Sequence, residues 1–318
     1  MRDRDASPAR PGVKRAIMNR AAAVSAVALG AVLLACTGSE AAAPEAVTVE
    51  MAAHASTTPA PTSASEARAG FSYSGELTQG GFIRGKAPAN AVSAMIGDQA
   101  VALAADGSFF AAFDRDAPTN LPLVATLANG QHVNETLAVS PRQWNIERVN
   151  IARSPGGMTD AFWKIREPEL NAINAARAKD NGATGWSQDF IWPVKGRISG
   201  RFGRQRIYRG EPGSYHSGLD IAPGAGVPYV APADGVVVLA RTGFSLEGGL
   251  IIIDHGHGLN SAFLHSSRIV VSEGQHVRQG EHIGNVGSTG RATGPHLHWS
   301  LKWNDARLDP LLFVGPQN

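Results

Sequence analysis

The stretch TGPHLHWSLKW, residues 293–303, alternates polar and apolar side chains from its first histidine onward. On a β-strand, successive side chains point to opposite faces of the sheet. His296, His298, Ser300 and Lys302 therefore share one face of a predicted strand, and the leucines and tryptophans between them share the other. Such a strand is either an ordinary half-buried strand or one half of a metal site, and the rest of the chain has to distinguish the two.

The composition of the whole chain is typical of a turn-rich β protein. Its 318 residues include 36 Gly and 19 Pro, and a chain of this length is expected to form about two domains with a core each. The balance of 29 basic against 27 acidic residues gives no indication of a nucleic-acid partner, so none is expected. We therefore expect a mainly β fold.

The first 35 residues have the character of an export signal. They hold six basic and two acidic residues, so removing this net +4 from the total of +2 leaves the rest of the chain near −2. The apolar run AAAVSAVALGAVLLAC, residues 21–36, is shorter than a membrane span but suits the core of a signal peptide. Met18 directly precedes the signal-like segment and is an alternative start.

The apolar run ends in Leu33-Leu34-Ala35-Cys36, which resembles the lipobox of bacterial lipoproteins. The resemblance implies that residues 1–35 are removed and that Cys36 is acylated, which would anchor the protein to a membrane. Cys36 is the only cysteine, so it cannot form an internal disulfide. An uncleaved anchor helix is the alternative. Either interpretation places the protein in the bacterial cell envelope, attached to a membrane.

Two segments of different character follow the lipobox. Residues 36–70 are rich in Ala, Thr, Ser, Pro and Glu and contain no aromatic residue, which predicts a flexible tether. Residues 71–147 consist of short apolar or alternating runs between turn pairs such as Asp106-Gly107, which predicts a small β-sandwich. Its pattern resembles the immunoglobulin-like domains of bacterial envelope proteins, and an envelope protein is a candidate partner for it.

A helical linker is predicted for residues 148–189, and a β-rich domain for residues 190–318. Within the linker, residues 158–180 repeat apolar side chains at the spacing of an amphipathic helix, with Pro168 near its start. The apolar stripe of this helix consists of Leu170, Ile173 and Ala176.

Three places in the last domain present imidazole or carboxylate groups. His216 and Asp220 are four residues apart and would share one face of a strand. His265 follows in the strand-like stretch LNSAFLHSS, and the histidine pair of residues 293–303 comes last. A catalytic zinc site needs three nitrogen or oxygen ligands and one open position for water. His216, Asp220 and one histidine of the pair supply that number, and the spacing leaves open which histidine it is.

These three motifs, in this order and with the sequence between them, strongly resemble the lysostaphin/LytM-type zinc metallopeptidases, which cleave peptide bonds in peptidoglycan. The resemblance covers about residues 190–314. It implies an antiparallel β peptidase domain of the duplicated hybrid motif type, acting on stem peptides or cross-links of the cell wall. The implied ligands of Zn²⁺ are His216, Asp220 and His298, and the implied unliganded catalytic histidines are His265 and His296.

Two alternatives to an active peptidase stay open. One is a relic site that folds without binding metal. The other is a non-catalytic protein that binds the wall or activates other wall hydrolases, as some members of this family do. Two small departures from the family pattern are Phe263, where a tyrosine is common, and Ser266, where a leucine is common. The loss of the tyrosine hydroxyl is expected to alter a contact in the substrate groove.

The remaining histidines are interpreted without a catalytic role. His54, His132, His276 and His282 are expected to be solvated, the last two in a surface hairpin, and His255 and His257 are expected in a hairpin turn. Glycines near the proposed ligands are expected to let an extended peptide approach; they are Gly218, Gly287, Gly290 and Gly294. Three arginines before the first ligand either pair with peptide carboxylates or lie in a solvated loop; they are Arg201, Arg204 and Arg206.

Overall fold

The computed structural model describes residues 69–152 and 159–317. The predicted signal peptide, Cys36, His54 and nearly all of the tether lie outside the described residues. Within the described ranges there are 21 β-strands and one α-helix, so the expectation of a mainly β fold is confirmed. No helix in these ranges is both long and apolar enough to cross a membrane.

The segment after the tether forms two antiparallel sheets. One has the strand order β1-β2-β5 and the other the order β4-β3-β6-β7. These strands are β1 (Ser72–Gly75), β2 (Phe82–Lys86), β3 (Ala91–Ile96), β4 (Gln99–Val101), β5 (Ser108–Ala112), β6 (Asn120–Leu127) and β7 (His132–Ala138). Phe109, Leu123 and Leu137, from strands of both sheets, are fully buried in one hydrophobic cluster.

The predicted linker contributes both a strand and a helix. Strand β8 (Ile146–Val149) precedes helix α1 (Asp160–Arg177), and a short 3₁₀-helix (Gly185–Ser187) follows. Helix α1 lies within the predicted range, but the expectation that Pro168 lies near its start is wrong. The Thr159 hydroxyl accepts a hydrogen bond from the Phe162 amide at 3.2 Å, and this N-cap begins the helix two turns earlier.

The remaining strands form the C-terminal β domain. They are β9 (Arg197–Gly200), β10 (Gln205–Tyr208), β11 (Glu211–Pro212), β12 (Leu219–Ala222), β13 (Pro228–Val230), β14 (Gly235–Phe244), β15 (Gly248–Gly256), β16 (Leu259–Leu264), β17 (Arg268–Ile269), β18 (His276–Val277), β19 (His282–Asn285), β20 (Leu297–Trp303) and β21 (Ala306–Leu308), followed by a 3₁₀-helix (Pro310–Leu312).

The main sheet of this domain has the order β18-β14-β15-β16-β20-β12-β9, with β21 paired to β20. All of its pairs are antiparallel. A smaller sheet has the order β13-β19-β17, and β10 joins β11 and the linker strand β8. The β8 pairing with β10 is parallel, so the linker strand is hydrogen-bonded directly to the C-terminal domain.

The alternation predicted for residues 297–303 is confirmed in β20. Leu297, Trp299, Leu301 and Trp303 are buried, while the residues between them are half-buried. In the register of the sheet, His298 lies opposite Asp220 on β12 and opposite Leu264 on β16. Directly paired residues of antiparallel strands point to the same face. We call the face that carries Asp220, Leu264 and His298 the site face of the main sheet.

Two hydrophobic clusters cover the two faces of the main sheet. The larger cluster joins the N-terminal sheets to the C-terminal domain: the Phe82 and Phe313 rings stack with centroids 4.1 Å apart, and the Phe110 and Trp303 centroids are 6.4 Å apart. The smaller cluster lies under α1 and includes Ala176. Its strand residues include Ile252 and Ala262, which the register places in one row on the site face.

Candidate metal centre

His216, Asp220 and His298 come together at the edge of the site face. Asp220 Oδ1 lies 3.0 Å from His216 Nε2 and 2.8 Å from His298 Nδ1, and these two nitrogens are 3.1 Å apart. One ligand atom from each of the three residues lies within 4.8 Å of the others. Such a set of two imidazoles and one carboxylate is suited to bind a divalent metal ion.

The three residues reach this cluster from different parts of the chain. Asp220 and His298 lie on neighbouring strands in direct register. His216 lies before β12, so the expectation that it shares a strand face with Asp220 is wrong. Its backbone is held instead by hydrogen bonds to the loop after β9, through the Arg204 carbonyl at 2.8 Å and the Gly203 amide at 2.9 Å.

The hydrogen bonding of His216 supports the fit of a cation. His216 Nδ1 lies 3.0 Å from the Arg201 carbonyl oxygen; since a carbonyl oxygen can only accept, Nδ1 carries the hydrogen. In the neutral ring, Nε2 then presents a lone pair toward the Asp220 carboxylate and toward His298 Nδ1. Electron pairs of an anion and two neutral imidazoles converging in this way repel each other unless a cation lies among them. The donor set therefore fits a metal ion.

The charges of the cluster are set by its burial and its pairing. Although burial opposes the charged form, the facing nitrogens of His216 and His298, which donate hydrogen bonds to Asp220 when they are protonated, hold its pKa well below the usual range. Burial lowers the pKa of His298, against the opposing effect of Asp220. Burial also acts on His216, but there the hydrogen bond and the charge of Asp220 prevail and raise its pKa. Asp220 is therefore ionised at neutral pH.

His265 and His296 lie next to the three-residue cluster. The His265 and His296 ring centroids are 4.9 Å apart, and His265 is 6.3 Å from the His298 ring. His296 Nε2 lies 3.7 Å from Asp220 Oδ1. The Nδ1 atoms of both rings are bound to backbone carbonyls, at 2.9 Å for Thr289 and 2.8 Å for Gly294. Both Nδ1 atoms therefore donate, and both Nε2 atoms keep lone pairs that can accept a proton.

His265 reaches the site through an unusual backbone conformation. It directly follows β16, and strict alternation would place its ring with Phe263 on the core face of the sheet. Its φ of 67° lies in the left-handed region, which a residue other than glycine rarely adopts. Its amide donates to the Glu247 carbonyl at 2.9 Å. This local break in the strand places the imidazole beside His296, and such strain is commonly found at functional sites.

Two glycines leave room for the cluster. A Cβ at Gly200 on β9 would lie 2.2 Å from Asp220 Oδ2, and one at Gly218 would lie 2.6 Å from His298 Nε2. Gly218 is one of the glycines singled out from the sequence, but it accommodates a ligand side chain. A Cβ at Gly287 or Gly290 would collide with protein backbone, and only Gly294 of the four has open space around it. The expectation that all four make room for a peptide is therefore wrong.

The sequence did not indicate Gly200 and Thr289 as parts of the site, and it singled out Arg201 for its side chain only. Gly200 gave no signal, because a lone glycine at the end of a β-strand is common. Arg201 and Thr289 act through their carbonyl oxygens, which carry no signature in a side-chain pattern. Of the arginines noted before the first ligand, Arg204 and Arg206 both pair with Glu147, at 3.6 and 2.8 Å.

The two departures from the family pattern lie away from the groove. Phe263 is fully buried on the core face and stacks on Tyr229, with centroids 5.6 Å apart. Ser266 is also buried, and its hydroxyl lies 2.5 Å from the Tyr229 hydroxyl. The expectation that Phe263 alters a groove contact is therefore wrong, since its ring faces the opposite side of the sheet.

The other histidines lie away from the cluster. His132, His276 and His282 are exposed, as expected. The last two do not form a hairpin together, because β18 pairs with β14 while β19 pairs with β13 and β17. His257 occupies the turn between β15 and β16 with a φ of 52°. His255 was expected in that turn too, but it belongs to β15 and is fully buried.

The buried His255 gives a prediction for pH and stability. Its two ring nitrogens lie 2.7 Å from the Asp234 carbonyl and 2.7 Å from the Ser261 hydroxyl, and burial lowers its pKa from 6.5 to about 4. Between these values the unfolded chain binds a proton that the folded chain does not, so stability is lost as the pH falls. We expect the free energy of unfolding to decrease by about 2 kcal/mol between pH 7 and pH 5 from this group.

Urea denaturation of the protein and of a His255→Gln variant at both pH values measures this contribution. The variant is expected to be less stable at pH 7 but to lose about 2 kcal/mol less on acidification. Equal losses in both proteins would contradict the assignment of this pH dependence to His255.

The metal cluster lies between two cavities. A cavity of about 750 Å³ is lined by His216, Asp220, Arg291 and the linker residue Ile151. A smaller cavity of about 240 Å³ lies between α1 and the site face and is lined by His298. His298, which lines the smaller cavity, is in contact with His216 and Asp220, which line the larger one.

Comparisons with known proteins give a family match and a similar solved structure. Residues 214–310 match the family model described as Peptidase family M23. A Pseudomonas aeruginosa crystal structure assigned to peptidase M23 is 30% identical, with a TM-score of 0.57, over 76% of this chain and 96% of that chain.

Two curated relatives match part of the chain. Peptidoglycan DD-endopeptidase ShyA of Vibrio cholerae is 41% identical over 116 residues, which are 35% of this chain and 26% of ShyA. The lipoprotein NlpD/LppB homolog of Pseudomonas aeruginosa is 36% identical over 130 residues, which are 41% of this chain and 40% of that protein. The chain thus spans less than half the length of these relatives.

Proposed function

Since the chain belongs to peptidase family M23, we propose that it is a zinc endopeptidase that hydrolyses peptide bonds of peptidoglycan stem peptides or cross-links. The observation that carries the proposal is the convergence of His216, Asp220 and His298 with two further histidines whose Nε2 atoms are free to accept protons. One of the relatives is named a peptidoglycan endopeptidase, which supports the choice of peptidoglycan as the substrate.

In this proposal His216, Asp220 and His298 hold Zn²⁺. The chemistry supplied by Zn²⁺ in such a site is that of a Lewis acid, which polarises a peptide carbonyl and acidifies water. Two neutral imidazoles and one carboxylate cancel only one of the two positive charges of the ion, so the site remains electrophilic. The low pKa of Asp220 keeps its carboxylate available for binding at neutral pH.

His265 and His296 are proposed to move the proton. Burial lowers the pKa of His265, so its ring is neutral at pH 7 and its Nε2 can accept a proton from attacking water. Once protonated, either imidazole can donate a hydrogen bond to the oxyanion that forms at the scissile carbon. The carbonyls of Thr289 and Gly294 hold both rings in the tautomer that this role requires.

A second candidate function is activation of other wall hydrolases without catalysis. Similarity to a lipoprotein NlpD/LppB homolog and to a protein named murein hydrolase activator NlpD favours it. In this alternative the site folds but its chemistry is not used. The two candidates predict different results with a zinc chelator, because only hydrolysis requires the metal ion.

The rest of the chain fits a protein attached to the cell envelope. We propose residues 1–35 as the signal peptide, residues 36–70 as lipidated Cys36 with its tether, and residues 71–147 as an immunoglobulin-like β-sandwich that binds an envelope protein. Residues 148–189 would be the helical linker, and residues 190–318 the zinc peptidase domain. A flexible tether of about 34 residues has a root-mean-square span of roughly 30 Å, so a membrane-bound enzyme could reach the wall.

Digestion of purified peptidoglycan tests the proposed function. The protein lacking residues 1–36 is incubated with the wall material, with and without a zinc chelator, and new amino termini are counted. We expect zinc-dependent release of peptides, whose masses identify the bond that is cut. A folded, zinc-loaded protein that releases no peptide would overturn the peptidase proposal and favour the activator.

A further inference from the structure

The small cavity between α1 and the site face is lined by an excess of positive charge. We call it the basic pocket, and its charged lining residues are Arg166, Arg177, Glu247, Lys302 and Arg307. His298 forms the side of the pocket nearest the metal cluster. Its volume of about 240 Å³ is below the roughly 300–1,000 Å³ typical of sites that enclose a whole small molecule. The basic pocket is therefore sized for one group of a larger ligand.

The acidic group in the pocket lining is already paired. Both carboxylate oxygens of Glu247 accept hydrogen bonds from Arg166, at 2.6 and 2.7 Å. Lys302 lies 3.1 Å from Asp305, whose side chain is fully exposed, so water and salt weaken that attraction. The Arg307 guanidinium lies 5.5 Å from the Tyr215 ring. Among the described residues, neither Arg177 nor Arg307 forms a salt bridge like the one that joins Arg166 to Glu247.

Arg177 is the group that most needs a partner. Its Nη1 atom is buried and makes no hydrogen bond to any of the described residues. Burial, followed by the repulsion from Arg307, lowers the pKa of Arg177 to about 10, against the attraction of Glu247. Its place in the last turn of α1 favours a cation through the helix dipole but supplies no carboxylate. A buried cation of this kind is costly unless an anion pairs with it.

We propose that the basic pocket binds a free carboxylate of the peptide substrate, with Arg177 as its principal partner and Arg307 as the second. This inference rests on the proposed function, and it adds a specificity site for acidic peptides beside the scissile bond. Guanidinium groups bind carboxylates through two parallel hydrogen bonds, and the stem peptides of peptidoglycan carry free carboxylates. The position next to His298 places this carboxylate on the α1 side of the metal cluster.

Binding of a matched pair of peptides tests the inference without requiring hydrolysis. The probes are a fluorescein-labelled Ala-D-Glu-Lys peptide with an amidated C-terminus and a free α-carboxylate at its glutamate, and the same peptide with a carboxamide at the glutamate, so that only the first carries a free carboxylate. Their affinities for the full chain are measured by fluorescence anisotropy in the presence of a zinc chelator. We expect the wild-type protein to bind the acid at least about tenfold more tightly than the amide.

The Arg177→Gln variant is expected to lose this preference while keeping its affinity for the amide. Arg177→Lys keeps the positive charge and is expected to retain part of the preference for the acid peptide. The control is Arg278→Gln: Arg278 is exposed and lies outside the pocket lining, so this variant is expected to behave as wild type. Thermal unfolding of Arg177→Gln distinguishes a role in ligand binding from a role in stability. If Arg177 serves binding, removal of its unpaired charge should leave the Tm unchanged or raise it.

Several results would overturn the inference. The first is that the wild-type protein shows no preference for the acid peptide. The second is that Arg177→Gln loses the same affinity for both peptides. The third is that inorganic phosphate displaces the acid peptide at a lower concentration than acetate does. A failure of the proposed function is distinguishable: a protein that releases no wall peptides but still prefers the acid through Arg177 retains the pocket assignment.

Discussion

Replacement of His298 with alanine is expected to remove zinc from the protein and to lower kcat/KM on peptidoglycan by at least about 10³-fold. His298 supplies the nitrogen closest to Asp220 Oδ1, at 2.8 Å, and its deletion leaves only one imidazole and one carboxylate. Loss of a Lewis acid removes several kcal/mol of transition-state stabilisation, and about 4 kcal/mol corresponds to 10³ in rate. Zinc content per chain and initial rates on wall fragments measure both effects.

His276→Ala is the matched control for this variant. His276 is exposed on the short strand β18, so its removal tests the loss of an imidazole that takes no part in the site. The control is expected to keep full zinc content, activity and Tm. A His298→Ala protein that retains both stoichiometric zinc and wild-type rates would contradict the ligand assignment, whereas zinc loss without loss of the hydrolysis rate would contradict the proposed role of zinc in hydrolysis.

Replacement of His296 or His265 is expected to keep the metal but to lower kcat by about 10²–10⁴-fold, the usual contribution of a positioned proton-transfer group. Neither residue belongs to the three-residue cluster, so zinc content should stay near the wild-type value. His296→Ala is suitable at the first position. At the second, His265→Asn is preferable to alanine, because asparagine tolerates the left-handed backbone at φ 67° better than most residues.

The double variant reveals whether the two histidines act as one unit. If they share the transfer of one proton and the stabilisation of one oxyanion, the second substitution should cost much less than the first, since residues acting together have non-additive effects. Zinc loss in either single variant would contradict the division between ligands and proton-transfer groups. Rates within a factor of two of wild type would remove that histidine from the proposed mechanism.

Much of the candidate site could be predicted from the sequence. All five residues named from the motif resemblance converge in the structure, and the alternation of β20 is the one that residues 297–303 predict. The five residues were named from the resemblance to a known family, whereas the alternation of β20 follows from strand geometry, which the local sequence encodes directly. The mainly β class follows in the same way from short runs between turn residues.

The tertiary structure alone decided which segments support the site. The Gly200 backbone lies against Asp220, the Arg201 and Thr289 carbonyls fix histidine tautomers, and the turned backbone of His265 breaks the predicted alternation. Each of these depends on contacts between segments far apart in the chain, and backbone groups leave no residue-type signal in a sequence.

For helix α1, too, the tertiary structure decided which groups it contacts. The sequence by itself determined its amphipathic stripe and the positions of its arginines. Only packing decided that the stripe covers the site face, that Arg166 binds Glu247, and that Arg177 lines the pocket beside His298 with its Nη1 atom buried. Periodicity specifies that a helix has an apolar side, but the surface that side covers is selected by the shape and polarity of the whole folded chain.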